Sequence, residues 1–209
     1  MASVAIPEYL RPNSSQFTYV FYPEGHKLFY EAQYPGHKLS PTIATKFFFE
    51  LLNQPELKEI FNDVDVTHEP TKDSVREVLD MPKKDVIRIH LTRPNPDVFG
   101  GQKDKIKQRY LAMNVTSTTQ EYKATPGETI TPDDDLIAEA NIAASNGSVK
   151  ASGLDENGHR HTISTVNHPL LEEDTVDPNN ESRDTKFLET SSTMKAELDQ
   201  REQQAQNNA

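Results

Sequence analysis

The run Asp85-Val86-Ile87-Arg88-Ile89-His90-Leu91-Thr92-Arg93-Pro94-Asn95-Pro96 decides the reading of this chain. Val86, Ile87, Ile89 and Leu91 make it the strongest strand in the sequence, and Arg93-Pro94-Asn95-Pro96 ends it, because proline cannot continue a ladder. On the N-terminal side, Val64-Asp65-Val66-Thr67-His68 alternates like a strand. Thr71 then caps a helix in which Val75, Val78 and Leu79 share one apolar face. On the C-terminal side, Val98–Met113 can form a helix bearing Lys103, Lys105, Lys107 and Arg109. Residues 115–124 read as a strand. Thr131-Pro132 caps an acidic-headed helix that carries Leu136, Ile137, Ala140 and Ala143 to an Asn146-Gly147 stop.

Ser148–Leu154 and Arg160–Val166 flank Asn157-Gly158, the strongest short-range hairpin signal in the chain. At the other end, Phe17-Thr18-Tyr19-Val20-Phe21-Tyr22 and Lys27-Leu28-Phe29-Tyr30-Glu31-Ala32 predict a first hairpin across Pro-Glu-Gly-His. Ser40-Pro41 supplies an N-cap and an N1 proline for a helix through Phe47-Phe48-Phe49 and Leu51-Leu52. Pro55–Phe61 restarts as a short second helix. The order ββ-α-β-α-β-α-β-α-ββ implies an α+β fold, a mostly antiparallel sheet with helices on one face. Residues 1–16 read as an irregular lead-in, 17–171 as a single α+β domain and 172–209 as a mostly disordered acidic tail with a transient helix near Met194–Gln203.

The tail assignment rests on composition. Of 209 residues only 34% are hydrophobic, against ~45–50% apolar in ordinary domains when glycine is counted. Net charge is −11. Residues 1–110 balance 15 Lys+Arg against 15 Asp+Glu, while residues 171–209 hold 4 against 10. Such acidity argues against broad DNA coating, which runs on Lys and Arg neutralising phosphates, but leaves room for a local basic site in the neutral half. With no cysteine, disulfides, thiolate zinc sites, Fe–S ligation and cysteine nucleophiles are excluded. No apolar run reaches the ~18 residues of a membrane span, and MASVAIPEYL lacks a secretory n-region and h-region. A cytoplasmic protein without membrane insertion is expected.

No phosphate-binding glycine loop, G-x-S-x-G or H-E-x-x-H is present. Four constellations remain. His159 and His161, with His168 later, share a strand face and can ligate a metal, though a solvated hairpin face is the ordinary reading. Asp63 and Asp65 with His68 offer paired carboxylates for Mg²⁺-dependent phosphodiester chemistry, against the ordinary polar face of a half-buried strand. Phe47-Phe48-Phe49 spans most of a helix circumference and needs either a dimer partner or a second packing layer, the layer being preferred. Arg93, Asn95 and Asp97 in the turn, followed by Lys103, Lys105, Lys107 and Arg109, form the densest positive region. A rigid turn leaving a central strand is where binding residues concentrate, so this region is the candidate binding site, with a solvated helix face as its ordinary reading. No catalytic residue, metal site or cofactor is assigned.

Several stretches together resemble a known group. They are Leu39-Ser40-Pro41, Phe61-Asn62-Asp63-Val64-Asp65-Val66-Thr67-His68-Glu69-Pro70, Ile89-His90-Leu91-Thr92-Arg93-Pro94-Asn95-Pro96-Asp97, Ala144-Ser145-Asn146-Gly147-Ser148-Val149 and Ser164-Thr165-Val166-Asn167-His168-Pro169-Leu170. The resemblance is to an uncharacterised bacterial and prophage family, a domain of unknown function numbered about 4747. It runs over residues 1–170 and leaves the final forty outside, and the chain looks N-terminally trimmed relative to that family. In the order of its elements the chain is also similar to the phage-exclusion protein RexA and to the B subunit of the Kiwa defence system. That likeness implies a non-enzymatic protein recognising DNA or a protein–DNA complex. The alternatives are a metal-dependent nuclease and a protein–protein module or DNA mimic engaging a partner from the same locus. Homo-oligomerisation is left open.

Overall fold

A four-stranded antiparallel sheet in the order β6-β5-β7-β8 forms the centre of the molecule. The computed structural model describes residues 15–61, 63–93, 101–177 and 180–207. The strand read from 85–92 is β5 (Lys83–Thr92), flanked by β6 (Ser117–Lys123) and β7 (Gly147–Leu154), with β8 (Arg160–Ser164) at one edge. β5 is central because its alternate residues Ile87, Ile89 and Leu91 are all but fully buried while Arg88 stays exposed, the period-two pattern of a sheet with one wet face. Lys83 and Lys84, just ahead of the stretch read as the strand, open β5. Lys84 is buried, and its Nζ donates to the Met81 carbonyl at 2.8 Å.

Helices cover the inner face. α3 (Ser74–Leu79) buries Val75, Val78 and Leu79, and α5 (Asp134–Ser145) buries Leu136, Ala140, Ile142, Ala143 and Ala144. The alanines let α5 lie close over β5 and β7, while Ile137, expected inside, is 39% exposed. α4 (Gly101–Met113) joins this layer through Tyr110, buried in the same core with Ile106 packed against it. The caps sit slightly later than the sequence suggests. Asp133 rather than Thr131 caps α5, accepting from the Leu136 amide at 2.9 Å, and α3 begins after Asp73 rather than Thr71. The Asn157-Gly158 turn joins β7 to β8 as expected.

The strand expected at 64–68 is absent. This segment runs without a ladder partner because the Asn53 side chain takes its backbone polar groups, accepting from the Val64 amide at 3.0 Å and donating to the Val64 carbonyl at 2.7 Å. A second difference is two small hairpins instead of one. β1 (Tyr19–Tyr22) pairs with β2 (Lys27–Tyr30), and β3 (Gln33–Tyr34) with β4 (His37–Lys38). α1 (Pro41–Leu52) follows with the Ser40 cap and N1 proline in place, then α2 (Pro55–Phe61).

The C-terminal reading needs correction over residues 183–207. Instead of a brief helix near Met194–Gln203, these residues form a 25-residue helix, α6 (Arg183–Asn207). Its sequence is polar because it buries a narrow stripe only. Ser191 and Leu198 are 2% and 4% exposed, Phe187 and Met194 are half-buried, and polar contacts add to the attachment. Arg183 forks onto the Glu31 carboxylate and stacks over the Tyr34 ring at 3.9 Å. Ser191 meets the Tyr22 hydroxyl at 3.2 Å, and Lys195 Nζ lies 5.8 Å from the centroid of the Tyr22 ring. A low apolar fraction signals disorder only when polar side chains lack partners.

Candidate nucleic-acid interface

The outer face of the four-stranded sheet carries no helix among the described residues, and alternation dictates what it shows. From β6 come Thr119, Glu121 and Lys123; from β5, Val86, Arg88 and His90; from β7, Ser148, Lys150 and Ser152; from β8, Arg160 and Thr162. Registration arranges them in rows across the strands. Arg88 lies directly opposite Lys150 on one side and Glu121 on the other, and Val86 lies between Lys123 and Ser152. A shallow depression over these rows is lined by Val86, Arg88, Glu121, Lys123, Lys150 and Ser152.

Four cations and Glu121 therefore share one face of a chain whose net charge is −11. Glu121 serves two of the cations. It accepts from Arg88 Nε at 3.0 Å and from Lys123 Nζ at 2.9 Å, and these two partners hold its carboxyl below the usual carboxylate range. Asp85 pairs with Arg160 at 3.5 Å. Lys150 makes no ion pair among the described residues, although it stands opposite Arg88. Like charges directly across an antiparallel pair are destabilising, and Glu121 on the other side of Arg88 offsets part of this one.

The residues singled out from sequence lie elsewhere. Arg93 is exposed just past the end of β5, its amide donating to the Thr116 carbonyl at 2.8 Å. Asn95 and Asp97 fall outside the described residues, and of Lys103 only the helical backbone is described. Lys105 and Arg109 are exposed and Lys107 is half-buried on α4. That helix packs on the inner face through Tyr110, whose hydroxyl bonds Thr118. The basic helix and the basic sheet face are thus on opposite sides of β5 and β6. Sequence reading missed the sheet face because its members are spread from residue 85 to 162 and converge only through strand order. The available signal was one basic residue at an outward position in each of the four strands.

The residues of the metal and nuclease readings keep other partners. Asp63 pairs with Lys58 at 2.6 Å, and His68 Nδ1 sits 3.0 Å from the Thr45 hydroxyl, each in irregular chain rather than on a shared strand face. His159 lies in the turn before β8 near Asp155, and His168 Nδ1 is 3.1 Å from Glu77. Among the described residues no group of three or more His, Asp or Glu is placed to hold an ion.

Burial holds the His68 imidazole below its ordinary pKa, so the unfolded chain takes up a proton at higher pH than the folded one. Stability is expected to decline as pH falls through about 6.5, the unfolded value, and to level off below the depressed folded value. Thermal melts from pH 8 to 5 on the wild type and on His68→Gln test this. The substitution should flatten the slope, and an unchanged slope would assign it to other groups.

No helix among the described residues is long and apolar enough to cross a membrane. No curated protein and no solved structure matches the chain. A family model described as a domain of unknown function, DUF4747, matches residues 2–192, reaching beyond the 170 expected and into the first turns of α6. On that match the chain belongs to the DUF4747 family.

Proposed function

We propose that this is a non-enzymatic nucleic-acid-binding protein that holds a phosphate backbone across the outer face of its sheet, as a sensor in a prophage or anti-phage setting. The observation that carries the reading is the Arg88–Lys150 cross-strand pair, two cations held face to face with one carboxylate shared among Arg88, Lys123 and their neighbourhood. A polyanion laid along that row removes the repulsion and finds hydroxyl donors in Thr119, Ser152 and Thr162 on either side. Among the described residues the face offers no Phe, Tyr or Trp for base stacking, so recognition there is chiefly of backbone charge. The phage setting draws its support from the prophage resemblance of the sequence.

Fluorescence anisotropy with labelled single-stranded and duplex oligonucleotides, on the full chain between 50 and 300 mM salt, tests the reading. Engagement of four cations predicts a log–log salt slope of about −3 for a single strand. Arg88→Glu/Lys150→Glu should weaken binding by about 25-fold or more, since two phosphate contacts are lost and two repulsions added. Glu121→Gln should strengthen it. No binding by the wild type at 50 mM salt overturns the proposal. So does loss in Lys105→Glu/Arg109→Glu with none in the sheet variant, which would move the interface to α4.

A further inference from the structure

The aromatic run on α1 does not meet a second packing layer. Phe48 is buried, 4% exposed, but Phe47 and Phe49 are 52% and 44% exposed. Phe47 does not stand alone. The Phe48 ring is flanked by Phe47 at 5.2 Å between centroids and by Tyr19 of β1 at 5.5 Å, so both exposed rings lie against the same buried ring. Ile43, one turn before Phe47, is 59% exposed, Tyr19 is 56% exposed, and Phe21, two residues along the same strand face, is 48% exposed. Gathered around Phe48, these four large apolar side chains together leave about 400 Å² bare, taking 150–250 Å² for a whole aromatic side chain. Patches of that size on soluble proteins mark interaction sites.

We infer that this surface is the self-association face of the chain, joining two copies about a two-fold axis that passes beside the middle of α1. Charge identifies the occupant. Ile43, Lys46, Phe47 and Glu50 occupy i, i+3, i+4 and i+7, one side of the helix, and Lys46 and Glu50 stand symmetrically about residue 48. When α1 packs antiparallel on its copy, Lys46 of one protomer faces the partner's Glu50, and the partner's Lys46 faces Glu50 of the first, while the Phe47 rings meet near the axis. Within one chain Lys46 and Glu50 are a loose pair at 3.8 Å, with side chains 79% and 66% exposed, free to exchange partners. An isologous interface requires this self-complementarity. Residues 17–52 carry three Lys and three Glu, so the net acidity that repels two copies elsewhere is absent here. The patch supplies about half of the ~800 Å² per partner in a standard interface, the apolar centre, and flanking polar residues supply the rim.

Sedimentation velocity on the full chain from 1 to 100 µM is the test. A concentration-dependent dimer is expected, and Phe47→Glu, at an exposed position the fold does not need, should weaken it ~100-fold or more because the lost contact counts in both protomers. Lys46→Glu and Glu50→Lys should each be monomeric alone, since like charges then meet. Mixed in equal amounts, they should recover dimer, because every charge contact is again between opposites. A wild type that stays monomeric at 100 µM overturns the inference. A dimer indifferent to Phe47→Glu, or two charge variants that do not recover on mixing, overturns it as well. Circular dichroism of each variant separates loss of contact from loss of fold.

Discussion

Gly153→Ala should destabilise the protein by about 3 kcal/mol or more, and Gly153→Val should prevent a stable sheet. A β-carbon at residue 153 lies 1.8 Å from the Lys83 carbonyl oxygen and 3.1 Å from the Lys84 Cα, so it meets backbone rather than a side chain that can swing aside. That backbone is pinned. The Lys84 amide donates to the Thr129 hydroxyl at 2.9 Å and its carbonyl accepts from Ile130 at 3.0 Å. The contact falls where the β5–β7 register shifts between Lys84 and Val86, a bulge that presses the two strands together. Relief requires opening the ladder at this end, which unseats Ile87 and the helices packed on it. Gly127, with positive φ but open space around its Cα, provides the comparison; Gly127→Ala should lose only about 1 kcal/mol, the strain of a left-handed residue. Urea titrations read both. If Gly153→Ala unfolds within 0.5 kcal/mol of the wild type, the close approach is not a constraint on the fold.

Lys27→Met should lose about 2–3 kcal/mol and loosen α6. Lys27 is the point where three distant segments meet, with Nζ 3.3 Å from Glu69 and 3.1 Å from Glu202 and a side chain only 15% exposed. Burial alone would lower its pKa, but Glu69 and Glu202 together more than offset this and hold it above the ordinary lysine value. A methionine keeps the volume and leaves two carboxylates facing each other, half-covered, with no cation between them. The raised pKa fixes the pH dependence. The stabilisation is complete below the unfolded pKa of about 10.5 and is lost as pH rises through the higher folded value. Wild-type stability should therefore sag at strongly alkaline pH more than that of Lys27→Met. Hydrogen exchange should show residues 195–207 opening first in the variant; uniform protection there would mean that Leu198 and Arg183 hold the helix unaided.

The sheet was legible because each of its strands carries its own evidence, β5 in the Ile87-Ile89-Leu91 alternation and β7–β8 in the Asn157-Gly158 turn. Helices α1, α2, α4 and α5 were legible from caps and prolines. Illegible features were those in which tertiary partners override local pattern. Val64-Asp65-Val66 alternates like a strand, yet Asn53 takes the Val64 amide and carbonyl, and no strand among the described residues pairs with the segment. α6 looks like a solvated tail until Arg183, Ser191 and Lys195 find the hairpin, over 150 residues away in sequence for the Arg183–Glu31 pair. The basic sheet face has the same character. Arg88, Lys123, Lys150 and Arg160 never fall within one window of sequence, whereas Lys103–Arg109 crowds four cations into seven residues and so drew attention first.

The pairing of α6 with the first hairpin sets an order of events during synthesis. A two-stranded hairpin is marginal in water by itself, and Tyr22, Tyr34 and Glu31 are made about 150 residues before the side chains that cover them. At ~5–20 residues per second this is a wait of roughly 10–30 s. Throughout it the nascent N-terminal region shows its aromatic surface with no lid, while β5, β7 and the helices over them have time to assemble. The helix that covers the first hairpin is thus translated about 150 residues after it, and a nascent chain halted before α6 emerges would carry that hairpin without its cover.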